Sequence, residues 1–283
     1  MIGVFDSGYG GLTVLRHLRR ALPTRDFVYL GDSGRAPYGG RDVNTLLDFS
    51  EQCVERLFEE GCRLVVVACN TVSCVALRHL QQRYAGPGAG VRILGVTIPA
   101  AEQVVATAEA HVGVIATLRT VSSGTYLTEI HKLRALRVSQ VAAPLLAPIV
   151  EDGWEDTDIA RLAVARYLAR FDPLPDTLLL GCTHYPLLLD AFRAALPATV
   201  RLVDPAPHVA TRLVDWLSRH PGFDEAGRGE LRVLCTGDPA AFRTHGARFL
   251  GEPLPEVAHV AEVAGRLAHR DPAEAPRGQV VRG

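Results

Sequence analysis

"LLLGCTHYP", residues 178–186, runs three leucines and a glycine into a cysteine, then a threonine and a histidine. "LVVVACNT", residues 64–71, has the same form: an apolar run, a cysteine, and two small polar residues. Short apolar runs without alternation read as strands buried on both faces, the habit of parallel sheets covered by helices. Both phrases therefore place a thiol at the carboxyl end of a buried strand. Open parallel sheets bind their ligands there.

The flanks of each phrase support this reading. Around the first thiol lie strands at 2–5, 26–32, 63–69 and 91–96 and helices at 10–22, 43–60 and 72–84. Around the second lie strands at 111–117, 137–143, 177–182 and 200–205 and helices at 120–135, 156–170 and 187–196. Alternation of this kind specifies an α/β fold. The chain reads as two similar lobes, each a mostly parallel sheet flanked by helices, pseudo-twofold related with the active site between them. A helix at 207–220, a strand at 231–237 and a helix at 239–249 are too short for a third domain and are expected to pack on the first lobe. The expected division is thus 1–95 plus 206–268 for the first lobe and 96–205 for the second. Residues 269–283, "HRDPAEAPRGQVVRG", read as a flexible tail.

Composition narrows the partners. The 283 residues are 48% hydrophobic and carry a formal net charge of -1, which suits a chain with a real core and excludes a basic nucleic-acid footprint or anionic-membrane patch. No stretch of about 18 apolar residues offers a transmembrane span. "MIGVFDSG" lacks the basic start of a signal peptide, so a cytoplasmic location is expected. Six cysteines in a reducing compartment are not a disulfide framework, and no C-x-x-C pair suggests zinc. Oligomeric state is left open, with a homodimer as one arrangement.

Polar residues follow four strand ends: Asp6-Ser7-Gly8, Asp32-Ser33, Cys69-Asn70-Thr71 and Cys182-Thr183-His184; Thr117 ends another. "DSGYGGLT" (6–13) lacks both G-x-G-x-x-G and the P-loop lysine, leaving a plain strand-to-helix turn or a carboxylate cradle of free amides. Free cysteines are usually small buried hydrophobes, the reading for Cys53, Cys62, Cys74 and Cys235. Cys69 and Cys182 differ in having polar neighbours at the mouth of a helix, which favours thiolate. A thiol with a pKa near 8.5 still needs a base. His184 is placed to serve Cys182, and Asp6 to serve Cys69 if the first and third strands are neighbours. A thiol on each wall of a cleft suits removal of a proton from one face of a carbon and delivery to the other. A cysteine hydrolase built on Cys182 and His184, and a non-catalytic amino-acid-binding protein, are the alternatives from other classes. Pyridoxal chemistry would need a Schiff-base lysine; Lys132 is the single lysine and lies in a helical stretch.

The phrases "GVFDSGYGGLTVL" (3–15), "YLGDSGRAPYGGR" (29–41), "VVVACNT" (65–71), "GVTIPA" (95–100), "GVIATLRTVSSGTY" (113–126), "PLLAPIVEDG" (144–153) and "LLLGCTHYPLL" (178–188) occur in order. With them the chain resembles the glutamate racemases, within the cofactor-independent aspartate/glutamate racemase superfamily. The resemblance implies an isomerase that interconverts L- and D-glutamate without a cofactor and supplies D-glutamate for peptidoglycan; a racemase of aspartate or a related amino acid is the alternative. It implies Cys69 and Cys182 as the acid/base thiols, Cys69 acting on the D-isomer and Cys182 on the L-isomer, with Asp6, His184 and Glu151 assisting. It implies glutamate held by Asp6, Ser7, Pro37, Tyr38, Gly39, Cys69, Asn70, Thr71, Thr117, Thr120, Cys182, Thr183 and His184. Two departures touch local packing: "GDSGR" where a threonine and a bulkier residue are expected, and Val72 where alanine is usual.

Overall fold

The computed structural model describes residues 1–270. Its strands are β1 (Ile2–Asp6), β2 (Phe27–Gly31), β3 (Leu64–Val67), β4 (Arg92–Gly95), β5 (His111–Ala116), β6 (Arg137–Ala142), β7 (Thr177–Gly181), β8 (Arg201–Val203), β9 (Leu231–Cys235), β10 (Val257–Val263) and β11 (Arg266–His269). Its helices are α1 (Leu12–Ala21), α2 (Val43–Glu59), α3 (Asn70–Val75), α4 (Leu77–Tyr84), α5 (Thr97–Thr107), α6 (Leu118–Ser122), α7 (Thr125–Leu133), α8 (Leu146–Glu151), α9 (Asp158–Leu168), α10 (Leu189–Ala195), α11 (Ala206–Arg219) and α12 (Pro239–Leu250).

The strands form two sheets, ordered β11-β10-β9-β2-β1-β3-β4 and β6-β5-β7-β8. Every pairing is parallel except β10 with β11. The orders β2-β1-β3-β4 and β6-β5-β7-β8 correspond strand for strand. β3, which ends before Cys69, thus matches β7, which ends before Cys182. β1, ending in Asp6, matches β5, which Thr117 follows. The duplicated topology delivers both thiols to equivalent places.

Burial explains why the sheets hold. β1, β2, β3, β5 and β7 are buried along their whole length, as unalternating apolar strands must be. α1 presses Leu12, Leu15 and Leu18 into the sheet, all fully buried. One apolar cluster runs without a break from Val4 and Val66 of the first sheet through these leucines to Leu178, Leu180 and Phe192 of the second lobe.

Several elements differ from their sequence reading. The helix expected over 72–84 is two, α3 and α4, joined at Ala76. That expected over 120–135 is broken at Gly124, which adopts φ +64, a left-handed conformation that ends a helix at little cost. α5 escapes the sequence pattern because Pro99 and its run of alanines blur the apolar stripe. β9 pairs with β2, and β10 and β11 extend that sheet. His269, read as the start of a tail, pairs with Val260 in β11. The rest of that stretch, 271–283, lies outside the described residues.

Asp176 sets the start of the second sheet. Its carboxylate accepts the backbone N–H groups of Glu109, Ala110 and His111 at 3.1, 2.8 and 2.6 Å. Partial burial opposes its charge, but these donors outweigh that and lower its pKa from 3.8 to about 2. A depressed carboxyl stabilises the fold fully above its unfolded pKa, and the contribution drains away as pH falls through the folded one. Asp176→Asn is therefore expected to cost about 1 kcal/mol at neutral pH, a value kept low because the group is partly exposed. In urea titrations its deficit against wild type should narrow between pH 4 and pH 2; a deficit independent of pH would contradict the assignment.

Candidate active site

The carboxyl ends of β1, β3, β5 and β7 face one cavity of about 240 Å³ between the two sheets. Ser7, Pro37, Tyr38, Gly39, Cys69, Asn70, Thr71, Thr117, Glu151, Cys182, Thr183 and His184 all line it. Asp6 and Thr120, expected on the binding wall, are fully buried one layer behind it. Asp6 accepts from Gly8 N at 2.9 Å and meets Thr183 Oγ1 at 3.5 Å. Thr120 joins the hydroxyls of Thr71 and Thr117, at 3.3 and 3.0 Å.

The two thiols sit in different surroundings. Cys69 occupies the N-cap position of α3, with Ser7 Oγ 3.6 Å from its sulfur. Burial pushes its pKa up to about 12, and the neighbouring Asp6 adds to the rise against the pull of Val72 N–H and Ser7. Burial likewise raises Asp6, offset in part by His184 and by the amides of Gly8 and Gly11. Two buried acids facing each other resist a second negative charge, so Cys69 keeps its proton in the free protein.

Cys182 instead faces an imidazole. Its sulfur lies 3.7 Å from His184 Nδ1, and His184 Nε2–H donates to Glu151 Oε1 at 2.9 Å. Burial alone would pull the imidazole down. The bonds to Cys182 and Glu151 outweigh it and raise its pKa to about 10. His184 is accordingly a cation at neutral pH, held between a thiol and a carboxylate. That is the arrangement that stabilises thiolate.

The rest of the wall supplies polar anchors. Thr117 caps α6, its Oγ1 accepting from Thr120 N at 3.3 Å and lying 3.0 Å from Thr71 Oγ1. Asn70 Oδ1 accepts from Tyr126 O–H, fixing the side-chain amide. The phenol of Tyr38 is committed elsewhere: it donates to Asp32, which also takes Arg35 Nε and Thr236 Oγ1. Loop 36–40 is thereby pinned to the first lobe while Gly39 O accepts Arg119 N of the second at 2.9 Å. Lys132 lies apart, half-exposed on α7 and paired with Glu129.

Sequence reasoning did not single out Ala36, Gly40, Leu118, Pro144, Ala147 and Pro148, which complete the lining. They are small or apolar and carry no chemical signature. Only the phrases "RAPYGG", "GVIATLRTVSSGTY" and "PLLAPIVEDG" pointed to their neighbourhood.

This geometry can be set beside known proteins. The family model for Asp/Glu/hydantoin racemases matches residues 2–213, a span that includes both cysteines. The chain belongs to that family. Within the Asp/Glu/hydantoin racemases it is 40% identical over 265 residues to the glutamate racemase of Roseobacter denitrificans, covering 88% of this chain and 96% of the relative. The crystal structure of the Francisella tularensis glutamate racemase, in complex with D-glutamate, shares 31% identity at a TM-score of 0.84, over 92% of this chain and 97% of that one. A Bacillus anthracis glutamate racemase shares 34% at a TM-score of 0.85, over 94% and 98%. The likeness thus extends beyond the part matched by the family model.

Proposed function

We propose that this protein interconverts L- and D-glutamate by proton transfer between two cysteines. The observation that carries the reading is the cavity itself. It has a thiol on each of two equivalent strand ends, each with its own set of proton partners. The family, and the glutamate racemases among its relatives, support the choice of substrate.

In this reading the α-carbon lies between the sulfurs. Cys182 as thiolate, its charge balanced by His184, takes the α-proton of L-glutamate, while Cys69 delivers its own proton to the opposite face. The reverse reaction uses Cys69 as the base, with Asp6 and Ser7 beside it. Hydroxyls of Ser7, Thr71, Thr117 and Thr183 and the amide of Asn70 would hold the two carboxylates with directional bonds. The N–H groups opening α3 and α6 add fixed positive dipoles. Such preorganised groups are what a carbanion needs when no cofactor delocalises it. The same chemistry requires free thiols, which fits a reducing cytoplasm, and on the family resemblance the product is D-glutamate for peptidoglycan.

The direct test is circular dichroism of L-glutamate with the purified protein and no added pyridoxal phosphate, run beside L-aspartate. The expected result is decay of the glutamate signal to zero with aspartate unchanged. Stable glutamate optical activity, or faster loss with aspartate, would overturn the assignment.

A further inference from the structure

His184 and Glu151 belong to the second lobe, yet their surroundings are completed by a helix of the first. Arg248, near the end of α12, donates from Nη2 to Val150 O at 2.7 Å and reaches Glu151 O at 3.4 Å. Its Nη1 contacts both oxygens of Glu155 at 3.2 and 3.4 Å. These carbonyls close the last turn of α8, the turn that carries Glu151. Helix ends leave such carbonyls without partners, and a cation there also meets the negative end of the helix dipole. Gly153 follows at φ +77, and a Cβ there would stand 2.6 Å from Arg248 Nη1, so the guanidinium fills the space a side chain would occupy. The next residue, Phe249, sets its ring against that of His184, with centroids 5.4 Å apart at 80°. Two adjacent residues of α12 therefore touch both partners of the Cys182 relay.

We propose that Arg248 is a positioning residue for the second acid/base: it fixes the Glu151 carboxylate from the opposite lobe, and through it the orientation of His184 against Cys182. The proposal rests on the racemase reading of that relay. An ion pair between Arg248 and Glu155 at the protein surface would contribute little by itself. The two carbonyl bonds give the residue a geometric task. The titratable groups facing His184 are Cys182, Glu151 and, from the first lobe, Asp6. Loss of a nearby cation alone would make His184 easier to protonate. Loss of Glu151's fixed position would make it harder. The direction of the change separates the two.

The experiment compares Arg248→Ala, Arg248→Lys, Glu151→Gln and the Arg248→Ala/Glu151→Gln double variant in the full chain. His184 is titrated by NMR of its ring protons without substrate, and glutamate racemisation is resolved into kcat and KM. Arg248→Ala is expected to move the His184 titration to lower pH and to lower kcat about tenfold, a fraction of the roughly 10²–10⁴-fold that a positioned acid/base supplies. KM should change less. Arg248→Lys should restore part of both, and in the Glu151→Gln background Arg248→Ala should have little further effect. A His184 titration that stays put or rises, or a tenfold loss that persists beside Glu151→Gln, overturns the proposal. If the alanine variant does not fold, the lysine variant carries the same readings. A wild-type protein that fails to racemise glutamate would defeat the functional reading, while the His184 titration would still decide the role of Arg248.

Discussion

Cys69→Ser and Cys182→Ser should each cut glutamate racemisation by about 10³-fold, within the range a positioned acid or base supplies. Serine keeps the shape of the side chain but replaces a thiol with a hydroxyl that is far harder to ionise. Neither enantiomer of glutamate is more stable than the other in water, so kcat/KM must fall by the same factor in both directions whichever cysteine is changed. The steady-state ratio therefore cannot tell one thiol from the other. Isotope exchange can. In D2O, Cys182→Ser retains Cys69 and should wash deuterium into the α-position of D-glutamate. Cys69→Ser retains Cys182 and should do so with L-glutamate. Turnover of Cys69→Ser near the wild-type level would favour a one-thiol hydrolase, and equal exchange of both enantiomers by both variants would defeat the division of labour.

The surroundings of the two sulfurs explain why the roles divide. Cys69, with its pKa pushed up to about 12 by burial and by Asp6, waits with its proton. Cys182 waits beside His184, protonated and braced by Glu151. In the proposed mechanism this asymmetry suits Cys69 to give a proton and Cys182, beside a cation, to take one from the L-isomer. The D-isomer calls for the reverse assignment, with Cys69 as the base and Cys182 as the proton donor.

Much of this was legible before any coordinates. "LVVVAC" and "LLLGC" are strands because nothing polar interrupts them, and the polar residues that follow mark the ligand-binding ends. The duplicated α/β pattern led to two sheets of matching strand order. Contacts between residues far apart in the chain were not legible. Nothing in "ARFLG" announces that Arg248 meets Val150, 98 residues away, or that Phe249 packs on His184. Tyr38, a substrate contact by resemblance, lines the cavity, and its hydroxyl donates to Asp32, a residue left without a role by the sequence reading. β10 and β11 were missed because a partly exposed hairpin at a sheet edge, interrupted by His259, Glu262 and Arg266, carries a less continuous apolar signal than a buried strand.

Gly10→Ala should disable the protein from a position that carries no chemistry. Gly10 lies in the β1–α1 turn, directly under the second lobe. A Cβ at this residue would stand 2.1 Å from Thr183 Oγ1 and 2.6 Å from His184 Nδ1. Neither neighbour can withdraw freely. Thr183 meets Asp6, its carbonyl accepts Thr13 Oγ1 at 3.1 Å, and His184 is held by Glu151. The methyl group must therefore push the segment after β7 away from the first lobe, taking Cys182 and its base with it. Overpacking of this kind costs about 1–3 kcal/mol. The expected result is a lower melting temperature and at least a roughly 10²-fold fall in kcat, because the acid/base loses its alignment. Gly86→Ala is the matched control: no atom lies within 4 Å of the added methyl, and stability and rate should stay near wild type. If Gly10→Ala melts and turns over like Gly86→Ala, the lobes are not in contact beneath the cavity, and a site assembled from both of them loses its floor.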